Sequence, residues 1–332
     1  MTEYPETTSD YDYNDDMNET DSHSDQGKPP VILVLVNVII FVLGVCGNGL
    51  VIWIAGFKMK RTVNTTWYLS LAVSDFIFCL SLPLNIYYMA TTHWVFGLFM
   101  CKFTSFILFL NMFSSILLLV IISVDRCVSV MFPVWAQNHR SLRLASGIVV
   151  LAWIISAAFS FPSIAFREIQ EYASRTICHN NYDSHEHHEL VAFSRFVFGF
   201  LLPFLIIISC YSIIIVKLRA SQMARSSKPF RVMTALVATF FLCWFPYHTF
   251  VLMELNSSNH HPALETGTKV TMTIASANSV MNPFLYAFMG KDFKHRCASI
   301  LSKIEHAIGE EERSSRRPTS VTHTGDVKST SF

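Results

Sequence analysis

Charge is what this chain has least of. Only 15% of its 332 residues are Asp, Glu, Lys or Arg, against roughly a quarter in soluble domains. With 52% hydrophobic residues and 28 phenylalanines, the composition excludes an ordinary water-soluble fold and points to a polytopic membrane protein. Lys and Arg are missing from the first 27 residues, which hold nine Asp and Glu. No basic flank with a short apolar core and a small-residue cleavage site opens the chain, so the first apolar run is expected to be an uncleaved anchor. No internal or inverted repeat is evident, which speaks against a transporter. No nucleophile–base pair or metal-ligand cluster falls where chemistry could occur, so neither an enzyme nor a nucleic-acid-binding protein is expected.

What is present is a series of seven apolar runs. They cover about 31–57, 66–91, 99–131, 144–165, 190–218, 229–255 and 267–289, each long enough to cross a bilayer. Lys58, Lys60 and Arg61 follow the first, Arg140 and Arg143 the third, Lys217, Arg219, Arg225 and Lys228 the fifth, and Lys291, Lys294 and Arg296 the seventh. The other loops are poorer in basic residues, which places the basic set inside and the N-terminus outside. The fold class is therefore all-α membrane, a seven-transmembrane helix bundle. Residues 1–30 read as a disordered acidic extracellular segment, 31–302 as the bundle with its flanking helix, and 303–332 as a disordered Ser/Thr-rich cytoplasmic tail.

The third run organises the rest. From Cys101 to Arg126 is 25 residues, about 37 Å of helix against a hydrocarbon core of roughly 30 Å. A cysteine thus lies at one face and the Asp125-Arg126 pair at the other. Cys101 and Cys178 both fall outside, where disulfides persist, and are expected to bridge. Cys46, Cys79, Cys127, Cys210 and Cys243 read as buried thiols, and Cys297 as a candidate for palmitoylation. Asn18 lies in an extracellular glycosylation sequon; Asn64 lies in a cytoplasmic one, read as a chance match.

Polar groups inside the runs are few, and each is costly at bilayer depth. Asp75 is the only carboxylate near the midplane, with Asn48, Asn111, Ser115, Asn278 and Asn282 at similar depth. Such a set suits a small cation, and equally a hydrogen-bonded packing network. Nearer the outside stand Arg167 and Arg195, the latter eight residues before Pro203, about 12 Å of helix. Two guanidiniums facing an outer cavity suit a carboxylate held bidentately. The alternatives are a solvated loop charge for Arg167 and snorkelling to headgroups for Arg195. Glu254, Ser105, Tyr88 and Tyr247, with Tyr87, Trp94 and Phe193, are the remaining candidate ligand contacts.

Gly47-Asn48-Gly49-Leu50-Val51, Leu71-Ala72-Val73-Ser74-Asp75, Asp125-Arg126-Cys127, Trp153, Pro203 with Tyr211, Cys243-Trp244-Phe245-Pro246 and Asn282-Pro283-Phe284-Leu285-Tyr286 occur in order, one set per run. Together they resemble the rhodopsin-class G-protein-coupled receptors. The resemblance implies that Asp75, Asn111, Ser115, Asn278 and Asn282 form a sodium site, a possible allosteric ion being the sole cofactor. It implies that Asp125 holds Arg126 at rest and that Arg126 meets the G protein when active. It implies that Trp244 and Phe240 form a switch below the ligand, that Tyr211 and Tyr286 support the inner cavity, and that Lys291-Asp292-Phe293 begins a short amphipathic eighth helix. The family's usual tyrosine after Asp-Arg is Cys127 here, which is shared with leukocyte chemoattractant receptors.

Leu108 stands where amine receptors of this class place an aspartate, and Ser276 where opsins place the retinal lysine, so neither ligand type is expected. Phe57–Asn64, His93–Gly97, Pro133–Arg140 and Phe241–Thr249 are similar to the chemerin-like, formyl-peptide and complement anaphylatoxin group of chemoattractant peptide receptors. That implies a plasma-membrane receptor for a chemoattractant peptide or protein with a chemerin-like ligand, and coupling to Gi/o and to arrestin in leukocyte chemotaxis. Membrane lipids complete the partners. The alternatives are a non-signalling scavenger of the same fold, or a receptor for another peptide or a lipid mediator. Tyr4, Tyr11 and Tyr13 beside acids suit sulfation and capture of a basic ligand. The Ser/Thr-rich tail suits phosphorylation. The His-rich run from His179 to His188 reads as a solvated loop or a metal site.

Overall fold

A backbone crossing hydrocarbon must satisfy its N–H and C=O groups internally, so each apolar run has one outcome, a helix. The computed structural model describes residues 31–220, 228–255, 262–289 and 302, with side chains at 31–219, 233–255, 266–285 and 302. The helices are α1 (Val31–Trp53), α2 (Val63–Thr91), α3 (Gly97–Met131), α4 (Pro133–His139), α5 (Leu142–Ser160), α6 (Pro162–Ala165), α7 (His185–Phe196), α8 (Leu202–Ala220), α9 (Lys228–Leu255) and α10 (Pro262–Met289). A π-helical turn, Ile54–Lys58, extends α1, and another, Val197–Leu201, joins α7 to α8. Six of these rods are long and apolar enough to span a membrane, and α10, with 28 residues, completes a bundle of seven. The expected N-terminal sequon at Asn18, the acidic tyrosines, Cys297, the eighth helix and the Ser/Thr tail lie outside the described residues.

Local chemistry sets the starts. The Thr62 hydroxyl accepts from the Thr65 N–H while the Thr65 hydroxyl accepts from the Thr62 N–H, a capping box that opens α2. Ser141 caps α5 and Ser184 caps α7, and Pro133 occupies the first turn of α4.

Tethers between helices run mostly through polar side chains. Asn37 Nδ2 donates to Thr273 Oγ1 at 2.9 Å, Asn48 Nδ2 to the Ser279 carbonyl at 2.9 Å, and Trp153 Nε1 to Ser70 Oγ at 2.9 Å. These tie α1 to α10 and α5 to α2. The most buried rod is α3, which packs against α2, α5, α6, α8 and α9. Leu71, Met112, Ile116, Leu236, Phe240 and Trp244 fill the space around it.

The segment after α6 is a feature that no apolar run announces. It forms a hairpin of β1 (Arg167–Glu171) and β2 (Thr176–Asn180), antiparallel, with Ile169 opposite Cys178. The Cys101–Cys178 disulfide pins it to the outer end of α3, as expected. One expectation fails. Cys46 is exposed rather than buried and Cys127 and Cys243 are half-buried, whereas Cys79 and Cys210 are buried. The reason is helical phase: the α1 contact face carries Ile40, Gly44, Asn48 and Val51, and Cys46 lies about 200° around from Gly44.

At Gly44, α1 comes close to α2. A Cβ there would collide with the Cys79 side chain, whereas at Gly147 of α5 it would meet open space. Gly44→Ala is therefore expected to lower the melting temperature of the detergent-solubilised protein by several degrees while Gly147→Ala does not. Fluorescence-detected thermal denaturation of both variants reads the difference, and equal melting temperatures would contradict the close approach.

Candidate ligand cavity and signalling face

At the outer end, the hairpin is sewn to the loop between α2 and α3. The Thr176 N–H donates to His93 Nδ1 at 2.8 Å, and the Cys178 N–H donates to the Tyr88 hydroxyl at 3.4 Å. Trp94 is buried with the disulfide and stacks edge-on against Tyr88 and Phe96. Trp94 is thus packed into the disulfide cluster, and Tyr87 is engaged with Phe96. Phe193 is exposed.

Arg167 lies along its own hairpin, its Nε 3.2 Å from Cys178 Sγ and its Nη1 donating to Asn180 Oδ1 at 3.0 Å. Burial pulls its guanidinium below the usual range, and the neighbouring charge of Arg195 acts in the same direction. An arginine nevertheless stays protonated at any physiological pH.

Arg195 is the more informative cation. It is only 7% exposed, its Nη2 donates to Ser163 Oγ at 2.9 Å, and its guanidinium carbon sits 3.6 Å from the Phe109 ring centroid. Its Nε has no hydrogen-bond partner, and no carboxylate forms an ion pair with it among the described residues. The π-helical turn after α7 inserts an extra residue into the helix and so re-aims everything above it by about 100° relative to α8. Nothing in the hydropathy pattern announces that turn. Below Arg195 the aromatic contacts continue: Phe109 to Tyr247 at 6.2 Å, Tyr247 to Trp244 at 5.7 Å and Trp244 to Phe240 at 6.0 Å between ring centroids. His248 is buried beside Tyr247 and Phe200. Ser105 lies on α3 one turn above Phe109, half-buried, and Glu254 is half-buried on α9 near enough to act electrostatically on Tyr247.

At mid-depth, Asp75 is fully buried and both carboxylate oxygens are engaged. Asn111 Nδ2 donates to Oδ1 at 2.9 Å and Asn282 Nδ2 to Oδ2 at 2.7 Å. Asn111 also donates to Ser74 Oγ and accepts from Ser279 Oγ. Ser115 and Asn278, expected in the same set, make no such bonds: Ser115 Oγ and Asn278 Nδ2 are buried without a hydrogen-bond partner. Ser74 and Ser279 take their places. Ser279 falls one residue beyond Asn278, a step of about 100° that spacing in sequence does not resolve.

At the inner end the expected Asp125–Arg126 contact is replaced. Asp125 accepts from Arg140 through both oxygens, from Nε and Nη2 at 2.7 Å each, and Arg140 Nη2 also donates to Asn64 Oδ1. The physical reason is that neighbouring residues on a helix point to different faces, while Arg140, returning from α4, presents its fork squarely to the carboxylate. Arg126 is half-buried with Nε unpartnered, and Tyr68 of α2 lies in contact with it. Tyr211 interacts with Thr234 of α9 and Ser123 of α3. The Tyr286 side chain lies outside the described residues.

Among the described residues no group of His, Cys, Asp and Glu could hold a metal ion. The histidines after the hairpin are engaged in ring contacts, His187 with Phe166 and His188 with Tyr182.

Residues 47–286 match the family described as 7 transmembrane receptor (rhodopsin family). The chain belongs to that family. It is 44% identical over 313 residues to the chemerin-like receptor 1 of Sus scrofa, covering 87% of this chain and 85% of the relative. To the chemerin-like receptor 1 of Homo sapiens it is 43% identical, covering 87% and 83%. To the C3a anaphylatoxin chemotactic receptor of Danio rerio it is 42% identical over 308 residues, covering 92% and 84%. The chain is a G-protein-coupled receptor, a multi-pass plasma-membrane protein and not an enzyme.

Within this receptor, Arg140 and Asn64 are the inner-face residues that sequence spacing passed over. Asp125 and Arg140 have side chains only 13% and 29% exposed, so removing one partner strands a largely desolvated charge. Arg140→Ala is expected to lower folding stability by about 1–3 kcal/mol, with Arg140→Lys intermediate because it keeps the charge and loses the fork. Thermal denaturation of the purified variants measures this, and an unchanged Arg140→Ala protein would refute the pairing.

Proposed function

We propose that this receptor recognises a chemoattractant peptide or protein, with a chemerin-like ligand, whose C-terminal carboxylate enters the outer cavity and is held by Arg195 with Arg167 beside it. The observation that carries this reading is the buried Arg195 guanidinium, which has a free Nε donor and no acidic partner among the described residues. A desolvated cation is costly unless paired, and a ligand carboxylate supplies the missing pair with bidentate geometry. Ser105, Tyr88, Tyr247 and Glu254 surround the rest of the peptide end. The names of the relatives, chemerin-like and anaphylatoxin chemotactic receptors, support the ligand class.

Ligand engagement at Arg195 bears directly on Phe109, and through Tyr247 on Trp244 and Phe240. On the inner side, Arg126 and Tyr211 face the space where a Gi/o protein docks, and phosphorylation of the Ser/Thr tail recruits arrestin. Asp75 with Ser74, Ser115 and Ser279 has the hard oxygen donors that a sodium ion prefers, and the unpartnered Ser115 hydroxyl fits that role. Such an ion would supply charge neutralisation for Asp75. The chain's own residues hold the carboxylate in place through Asn111 and Asn282.

Arg195→Ala is expected to weaken a chemerin C-terminal peptide with a free carboxylate by at least tenfold and its amidated form far less. Competition binding on membranes reads both affinities, and equal losses would sink the carboxylate pairing. Asp75→Asn is expected to abolish any dependence of agonist affinity on sodium in the same assay; dependence that persists would rule out the cation site.

A further inference from the structure

Cys127, the residue at which the chain departs from its family's pattern, has a partner. Cys210 of α8 lies on the buried stripe Ile207, Cys210, Ile214, at helical spacing of three and four, which is the face α8 turns to α3. On α3, Cys127 stands four residues after Ser123, which is met by Tyr211, the neighbour of Cys210. Cys127 lies near enough for its thiol to act on that of Cys210. Cys127 is half-buried at the inner rim and Cys210 is buried. Neither takes part in the ligand cavity, the Asp75 cluster or the Asp125–Arg140 pair.

We infer that Cys127 and Cys210 form a dithiol modification site that a peroxide oxidises to a disulfide joining α3 to α8 at the cytoplasmic end. The more open Cys127 reacts first. Its sulfur displaces water from hydrogen peroxide and becomes a sulfenic acid. The Cys210 sulfur then attacks the Cys127 sulfur, an S–S bond forms, the S–O bond breaks, and the oxygen leaves as a second water with the Cys210 proton. The pair loses two electrons and two hydrogens, and the peroxide is reduced to two waters. A disulfide holds its Cβ atoms about 3.8 Å apart, so it would fix the α3 segment bearing Arg126 against the α8 segment bearing Tyr211.

The test needs no ligand and therefore stands apart from the ligand assignment. Full-length receptor in membranes open to the inner face is treated with hydrogen peroxide, remaining thiols are blocked with N-ethylmaleimide, and the protein is digested without reduction. The expected product is a peptide pair joined through positions 127 and 210, two hydrogens lighter than the sum of its parts. It is absent from Cys127→Ser and from Cys210→Ser. Peroxide should also raise the melting temperature of the solubilised wild type by several degrees and leave Cys127→Ser unmoved. Recovery of Cys127 only as sulfinic or sulfonic acid, or linked to another cysteine, would overturn the inference. So would an equal thermal shift in Cys127→Ser.

Discussion

A polar group held in hydrocarbon must find its partner inside the protein, and α3 is where most of those partners meet. Its outer end is fixed to the hairpin through Cys101 and Cys178. One level down, Phe109 lies under the Arg195 guanidinium. Two residues on, Asn111 holds Asp75. Further in, Ser123 meets Tyr211, and at the end Asp125 holds Arg140. Each contact belongs to a different neighbour, so α3 cannot turn or slide without disturbing all of them.

A second series of contacts runs from the outer end into the middle of the bundle. Arg195 rests on Phe109, Phe109 on Tyr247, Tyr247 on Trp244 and Trp244 on Phe240. Close-packed aromatic contacts of this kind have few alternative arrangements. The outer end also brings two guanidiniums near one another, with no acid paired to Arg195 among the described residues. In the proposed function, a ligand carboxylate pairing with Arg195 acts at the head of this aromatic series. The inner face has the converse arrangement, with Asp125 committed to Arg140 and Arg126 left to Tyr68.

Much of this was legible in the sequence, for a physical reason. Hydrocarbon leaves a spanning chain one secondary structure, so runs of apolar residues mark helices directly, and basic loops mark their direction. Asp75, Asn111 and Asn282 were recognisable because charge and amide are rare at that depth. The parts that escaped depend on phase or on loops. The π-helical turn at Val197–Leu201 re-aims Arg195 without changing composition. Ser279 rather than Asn278 meets the Asp75 network because one residue is a large step around a helix. The hairpin and α4 are short and polar or mixed, and Arg140 reaches Asp125 only because α4 folds back under α3. Asp125 is taken up by the Arg140 fork rather than by Arg126, its neighbour on the helix.

The central claim is that α3 carries a signal from the outer cavity to the inner face through Arg126. The direct measurement is agonist-driven nucleotide exchange on purified Gi by membranes bearing wild-type receptor or Arg126→Ala, with surface expression and peptide binding measured in parallel. The account predicts that Arg126→Ala binds the peptide and reaches the surface as wild type does, yet stimulates no exchange. Wild-type exchange by the variant would contradict it.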